Sequence, residues 1–391
     1  MKYNRVVNVS PTKAPLDVLF LPYYGDNPYQ EELRTALENR NVTVRTGDHE
    51  AALPILQSLF FERPDVLHLH WAHSLFVMHN KVVTLVLGLR LLFELTVCKL
   101  LDVPVVWTVH NTLDHERRHP YIELTVRRLV ARCCDGLITH GETARDEVVD
   151  TYDIPTDETA RVAVVPHGNY IGSYPDDVSR AEAREAFSLP DDATVYLHFG
   201  NIRPYKGVQR LVETFDEMDD PDSHLLIAGR PPTNPGDRKR LLAACERADR
   251  VHTDFGFIPD DEIQHYFTAC DAVVLPFERV LTSGSVVLAM SFGCPVVAPR
   301  MGCLPDTLSE SNDLLYDPDD PSGLRREMRR VRAEDVSAVG ASNRLEAVRD
   351  DWGTVAERTD AVYRTAERGT GDAYAAADRA TDDVEAVAGE V

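Results

Sequence analysis

Residues 271–299 read DAVVLPFERVLTSGSVVLAMSFGCPVVAP. Ala272 to Leu275 is a short continuous apolar run, the signature of a strand covered on both faces. Ser285 to Phe292 has apolar residues at helical spacing, and Pro295 to Ala298 is a second apolar run. The stretch is therefore strand, loop, helix, strand. In the loop Thr282-Ser283-Gly284-Ser285, Ser283 is a natural helix N-cap and Gly284 removes a side chain that would keep other groups off the backbone. Free N–H groups and the positive end of the helix dipole converge there, which favours a phosphate. An ordinary capped helix would carry the same residues, so the surroundings have to decide.

Upstream, the same alternation repeats. Strands are expected at Leu16–Leu21, Val42–Val44, Asp65–His70, Val103–Val109, Gly136–Thr139 and Val162–Val165. Helices are expected at Tyr29–Asn39, Pro54–Phe61, 81–101, Tyr121–Cys134 and from about Glu142. A polar segment, Asn169–Asp192, reads as a linker with a short helix. Alternation then resumes with strands at Thr194–Phe199, His224–Ala228 and Val251–Asp254, and helices at Gly207–Phe215, Asp237–Ala248 and Asp260–Ala269. Strands alternating with helices of this length imply two α/β domains, each a doubly wound, Rossmann-like parallel sheet. The expected division is residues 1–170, linker 171–192, a second domain 193–345, a helical segment 346–368 carrying Trp352 and Tyr363, and an acidic, Ala-rich, disordered tail 369–391.

The chain has 391 residues and a formal net charge of −23, and its 41 basic residues divide into 6 Lys and 35 Arg. Such an acidic, Lys-poor surface suits a cytoplasm of very high salt and argues against nucleic acid as the main partner. Seven cysteines without CxxC spacing read as reduced thiols, mostly buried, of a cytoplasmic protein. The N-terminus has no apolar core of signal-peptide length. The nearest approach to a spanning segment, KVVTLVLGLRLLFELTVCKLL at 81–101, is interrupted by Arg90, Glu94 and Lys99.

Gly200-Asn201-Ile202-Arg203-Pro204-Tyr205-Lys206-Gly207 follows a strand and opens a helix. It places Arg203 and Lys206 at the carboxyl edge of a parallel sheet, where such folds bind ligands, and two cations beside helix N–H groups suit a diphosphate. With this loop, the LLIAGR strand, GFIPDDEIQHYFTACDAVVLPF and SGSVVLAMSFGCPVVAP in this order, the chain resembles the donor domain of GT-B glycosyltransferases of the family-four type. The N-terminal half resembles that family more loosely, through DVLHLHW, WTVHNT and VVPHGNY, and the Trp352 helix resembles the segment that crosses back to the N-terminal domain.

The resemblance implies a glycosyltransferase that moves a sugar from a nucleoside diphosphate to a glycan or lipid-linked glycan, in the synthesis of cell-surface polysaccharide or glycoprotein. No cofactor or metal is implied beyond the nucleotide sugar. By the same resemblance, Arg203, Lys206 and the amides of Ser283, Gly284 and Ser285 would hold the donor diphosphate. Gly200, Asn201, Gly229, Arg230, Phe257, Ile258 and Glu278 would contact nucleotide and sugar, with Phe257 and Ile258 near the base. Tyr24, Gly25, Asn27, His70, Trp71, Asn111 and His167 would line the acceptor side. Two departures stand out. Asn201 occupies a position usually held by Arg, and the family's paired glutamates, eight apart, fall here on Val280 and Leu288, with Glu278 displaced by two.

His110 is the expected catalytic histidine, because an imidazole can orient a hydroxyl or take a proton near neutral pH. Asp114 and Glu116 follow in the same loop, where a carboxylate would be the base if the reaction inverts. His68, His70 and His73 form an H-x-H-x-x-H run that could be a metal site or packed histidines; no metal site is expected. Arg117, Arg118, Arg127, Arg128 and Arg132 are a dense basic cluster. Beside the apolar face of 81–101 they would suit contact with the inner face of a membrane, or a buried helix with Arg–Glu pairs. Two other readings stay open: an epimerase or hydrolase of nucleotide sugars, or a subunit that binds them without catalysis.

Overall fold

The computed structural model describes residues 14–25, 27–114 and 118–368. Asp26, Glu116, Arg117 and the tail expected from Gly369 onward lie outside the described residues. Twelve strands are present among the described residues. The first six are β1 (Leu16–Leu21), β2 (Val42–Thr46), β3 (Val66–His70), β4 (Val105–Thr108), β5 (Gly136–Thr139) and β6 (Val162–Val164). The second six are β7 (Thr194–Phe199), β8 (Ser223–Ala228), β9 (Val251–Asp254), β10 (Ala272–Val274), β11 (Val296–Pro299) and β12 (Leu315–Tyr316).

They form two six-stranded sheets with helices between successive strands, of order β2-β1-β3-β4-β5-β6 and β12-β11-β10-β7-β8-β9. The second order, read from β9, is that of the dinucleotide-binding fold, and its direction reverses between β7 and β10. The first reverses between β1 and β3, as in flavodoxin-like sheets. Ligands in open α/β sheets bind beyond the carboxyl ends of the strands at these reversals.

Side chains on successive strand residues enter opposite layers. In the second sheet Val195, Leu197 and Phe199 of β7 pack with Val273, Val296 and Ala298. Tyr196 packs with Leu225, Ile227, Ala272, Val274 and Val297 on the other face. Burial on both sides is why these strands are continuous apolar runs in the sequence rather than alternating ones.

The described residues group into two compact units, 14–108 with 121–137 and 356–368, and 109–120 with 138–355. In the first unit His68 is wholly buried, with its ring nitrogens 2.6 Å from Tyr363 Oη and 2.7 Å from Thr108 Oγ1. Both nitrogens of His68 are thus committed within the core. Among the described residues no group of three metal-binding side chains is assembled. The helical segment near the C-terminus is two helices, Ser337–Arg349 and Trp352–Arg368, separated at Asp350 and Asp351. The helix Gly323–Ala333 and the two-residue β12 were not expected from the sequence.

Candidate functional site

At the reversal between β7 and β10, the chain leaving β7 passes Gly200 and enters a short turn, Pro204–Lys206, before the helix Val208–Asp216. Gly207 has φ +67°, and a Cβ there would lie 2.2 Å from the Pro276 carbonyl oxygen, so only glycine lets this turn press against the end of β10. The turn carries Lys206 inward until it is 8% exposed, with Nζ 3.3 Å from Ser285 Oγ.

Gly200 faces the same pair: a Cβ there would sit 3.2 Å from Ser285 Oγ and 3.4 Å from Lys206 Nζ. Ser283 caps the helix Gly284–Ser291, its Oγ accepting from Val286 N at 3.4 Å. Lys206, the Ser285 hydroxyl and the helix N-terminus thus surround a spot that a side chain at position 200 would crowd.

The electrostatics match an anion site. Burial, and then the neighbouring Arg203 charge, lower the Lys206 pKa to about 8. Below the site, His198 on β7 is held neutral, with a pKa of about 3, by burial and the Lys206 charge. Its Nδ1–H donates to Val274 O at 3.0 Å, and Nε2 has no hydrogen-bond partner. Positive charge is concentrated there, and among the described residues no carboxylate balances Lys206, a charge that a bound anion would supply.

Farther out on the same edge, the Arg230 guanidinium lies 5.4 Å from the centroid of the Phe257 ring, which is 68% exposed; Ile258 beside it is buried. Asn201 is exposed, and Arg203 lines a groove of about 350 Å³ with Arg210, Arg240 and Glu278.

A second cavity in this unit, of about 230 Å³, is lined by Asn111, Thr112, Asp114, Glu147, Glu278 and Arg279 among others. It joins two carboxylates singled out from the sequence, Asp114 and Glu278. Glu147, not anticipated, accepts from Thr112 Oγ1 at 2.9 Å. Thr282 Oγ1 donates to the His110 carbonyl at 3.1 Å, tying the His110 loop to the loop before the helix Gly284–Ser291.

His110 is the first of three adjacent imidazoles. Ring centroids are 5.2 Å apart for His110 and His140, and 5.4 Å for His140 and His167. Burial keeps His140 neutral, with a pKa of about 4, and its Nδ1–H donates to Val165 O at 2.9 Å. The lone pair on His140 Nε2 then faces His110 Nδ1 at 3.4 Å, which makes Nδ1 the protonated nitrogen of His110 and leaves Nε2 as its basic one. His167, lowered to about 3 by burial and by His140, reaches toward Gly284. His140 was missed in the sequence, although a pattern pointed to it: His70, His110, His140 and His167 each stand at or just beyond the carboxyl end of β3, β4, β5 and β6.

In the first unit, the reversal between β1 and β3 carries an aromatic group. Tyr24 is 5.9 Å from Trp71 and 5.2 Å from His49 between ring centroids. Trp71 has φ +39°, an uncommon conformation for a bulky residue and a feature of binding sites. Gly25 lies in the same loop. Asn27 caps the helix Pro28–Glu38, its side chain accepting from Tyr29 N at 3.0 Å, and His70 is fully buried against Phe20 and His68. Of the sequence-selected residues here, Tyr24 and Trp71 are the two aromatic side chains left partly open at the strand ends.

The comparisons agree with this fold. The family model for Glycosyltransferase Family 4 matches residues 18–169, and that for Glycosyl transferases group 1 matches residues 193–334. The chain belongs to the group 1, family 4 glycosyltransferases, enzymes of the GT-B fold. It is 30% identical to a GDP-mannose:glycolipid 4-beta-D-mannosyltransferase of Xanthomonas campestris pv. campestris, over 76% of this chain and 74% of that one. It is 27% identical to a D-inositol 3-phosphate glycosyltransferase of Streptomyces bingchenggensis, over 68% and 62%. Among solved structures, HepE of Anabaena in complex with UDP-glucose has a TM-score of 0.67 and 17% identity, covering 88% of this chain and 98% of that one. Sucrose-phosphate synthase from Thermosynechococcus elongatus has a TM-score of 0.70 and 17% identity, covering 90% and 98%.

Proposed function

We propose that this glycosyltransferase uses a nucleoside diphosphate sugar as donor and a glycan or lipid-linked glycan of cell-surface biosynthesis as acceptor. The observation that carries the reading is the cradle of Lys206, Ser285 and the Gly284–Ser291 helix N-terminus, cationic and, among the described residues, without a carboxylate partner for Lys206. In the reaction the bond between the sugar carbon and the diphosphate oxygen breaks, and negative charge grows on the departing diphosphate. Lys206, Arg203 and the backbone amides of 283–285 would hold that charge, which lowers the barrier. Phe257 and Arg230 would border the base, with Gly200, Asn201, Gly229 and Ile258 behind them.

The acceptor hydroxyl would lose its proton to a group of the cavity that holds Asp114 and Glu278, or to His110 Nε2. Glu116 stays a candidate on sequence grounds alone. In this reading residues 1–170 hold the acceptor, with Tyr24 and Trp71 as a stacking surface for sugar, and 193–345 hold the donor. The linker is 171–192, and 346–368 is the returning segment. The mannosyltransferase relative acts on a glycolipid by name, which supports a lipid-linked acceptor and makes GDP-mannose the first donor to try.

The test is thermal-shift binding with UDP, GDP, ADP and their sugar conjugates, with Lys206→Ala in parallel, followed by transfer to lipid extract. A nucleotide-specific rise in unfolding temperature that the variant loses is expected. Folded protein that responds to no nucleotide would overturn the donor site. Turnover of donor without acceptor would favour a hydrolase instead.

A further inference from the structure

The outer face of the helix Lys81–Leu100 is apolar and open. Val82, Val86, Leu89 and Phe93 follow one another at three- and four-residue spacing, Leu100 lies two turns farther on the same face, and Leu89, Phe93 and Leu100 are 58%, 57% and 77% exposed. Two neighbours extend the surface. A Cβ on Gly88 would lie 2.7 Å from Val126, so the helix Pro120–Cys133 packs directly alongside and adds the exposed Tyr121 and Leu129. Arg63 donates to the Asp102 carbonyl at 2.9 Å, which brings the end of the helix Pro54–Phe61, with exposed Phe60 and Phe61, beside Leu100. Contiguous apolar exposure of this extent marks a docking surface.

The charges say what docks. The sequence has 64 acidic residues against 41 basic ones, yet no carboxylate is exposed on either long helix. Glu94 is fully buried and accepts from Ile55 N and Leu56 N at 3.0 and 3.1 Å, and Glu123 is fully buried against Arg127 at 2.7 Å. That pair takes Arg127 out of the basic cluster expected from the sequence. The cations that remain exposed border the apolar face: Lys81 at one end, Lys99 and Arg132 at the other, the last two joined by a bond from Lys99 Nζ to the Arg132 carbonyl at 3.4 Å. Among the described residues no helix is long and apolar enough to cross a membrane.

We infer that this face seats the chain on an anionic lipid surface, the apolar side chains entering the headgroup boundary and the three cations meeting lipid phosphates. A second copy fits less well. Two-fold pairing of the same face would set the cations of the two long helices against themselves, since the exposed carboxylates near the patch, Glu62 and Asp102, lie off these helices at the Leu100 end. The surface stands on its own residues and does not depend on the donor or the chemistry proposed above.

Flotation of the full chain with vesicles tests this, using equimolar phosphatidylglycerol and phosphatidylcholine against phosphatidylcholine alone, at salt concentrations where circular dichroism shows the protein folded. Wild type is expected to float with the anionic vesicles and to bind the neutral ones less. The double variant Leu89→Glu, Phe93→Glu is expected to lose binding on the order of tenfold or more while melting as wild type does, since both side chains are exposed. Lys99→Gln with Arg132→Gln is expected to remove the preference for anionic lipid. Wild type that stays unbound, double-variant binding equal to wild type, or equal flotation on both vesicles overturns the inference. A dimer in light scattering that the Glu variants dissociate overturns it in favour of a second copy.

Discussion

Lys206 is the side chain whose titration can be followed into function. Its pKa is lowered to about 8 on folding, so it is charged in the empty site below that pH and increasingly neutral above it. Diphosphate binding as proposed above would need the cation. Donor affinity should therefore be level below about pH 8 and fall as pH rises through it, as isothermal titration would show; Lys206→Ala should abolish the dependence along with the affinity. His140 calls for a different experiment. It is neutral above about pH 4 and orients His110 without meeting substrate in this reading. His140→Phe should lower kcat on the order of tenfold with little change in donor KM, and His140→Gln, which can still accept from His110, should recover part of the loss. Equal losses in both, with weakened donor binding, would mean a packing role. In the sequence His110 was visible because it ends a strong strand and precedes a polar loop. His140 ends a weaker one, and only parallel alignment of β4 and β5 makes them neighbours.

Among the elements, the turn between β7 and its helix is the most constrained. Gly207→Ala would drive a methyl group into the Pro276 carbonyl as well as straining φ +67°, and should destabilise the chain by about 2–4 kcal/mol, read from denaturant unfolding. Most elements could be read directly from the sequence, because strands buried on both faces must be continuous apolar runs and the helices between them must be amphipathic. Pro54–Phe61 and Thr194–Phe199 match to the residue. What could not be read was set by tertiary contact. A two-residue β12 has no period to detect, and the break at Asp350 is fixed by what its neighbours bond, including Asn169 N on its carbonyl at 3.0 Å. Glu94 gives the same lesson: its i, i+4 pairing with Arg90 was legible, but not that it turns fully inward to hold the start of another helix.

For the whole molecule, a net charge of −23 sets the solution behaviour. Self-repulsion at this density is relieved by counterions, so the unfolding temperature should climb steadily as potassium chloride is raised, by several degrees or more across the molar range. A flat or falling curve would show that the charges are neutralised within the fold instead. The loops at both sheet reversals could be foreseen as strand-end loops; the sheet orders that place the reversals could not, since order depends on which strands pair.

The cationic cradle at β7 and β10 has a further consequence, for the lifetime of the protein. A lysine whose pKa falls on folding costs stability at every pH below about 8, so the empty enzyme carries an electrostatic burden that a diphosphate bound as proposed would lift. The unliganded chain should accordingly be degraded faster than the loaded one. Its abundance in a growing cell would then track the supply of activated sugar without any dedicated regulator, and a pulse-chase measurement before and after donor depletion would reveal the difference.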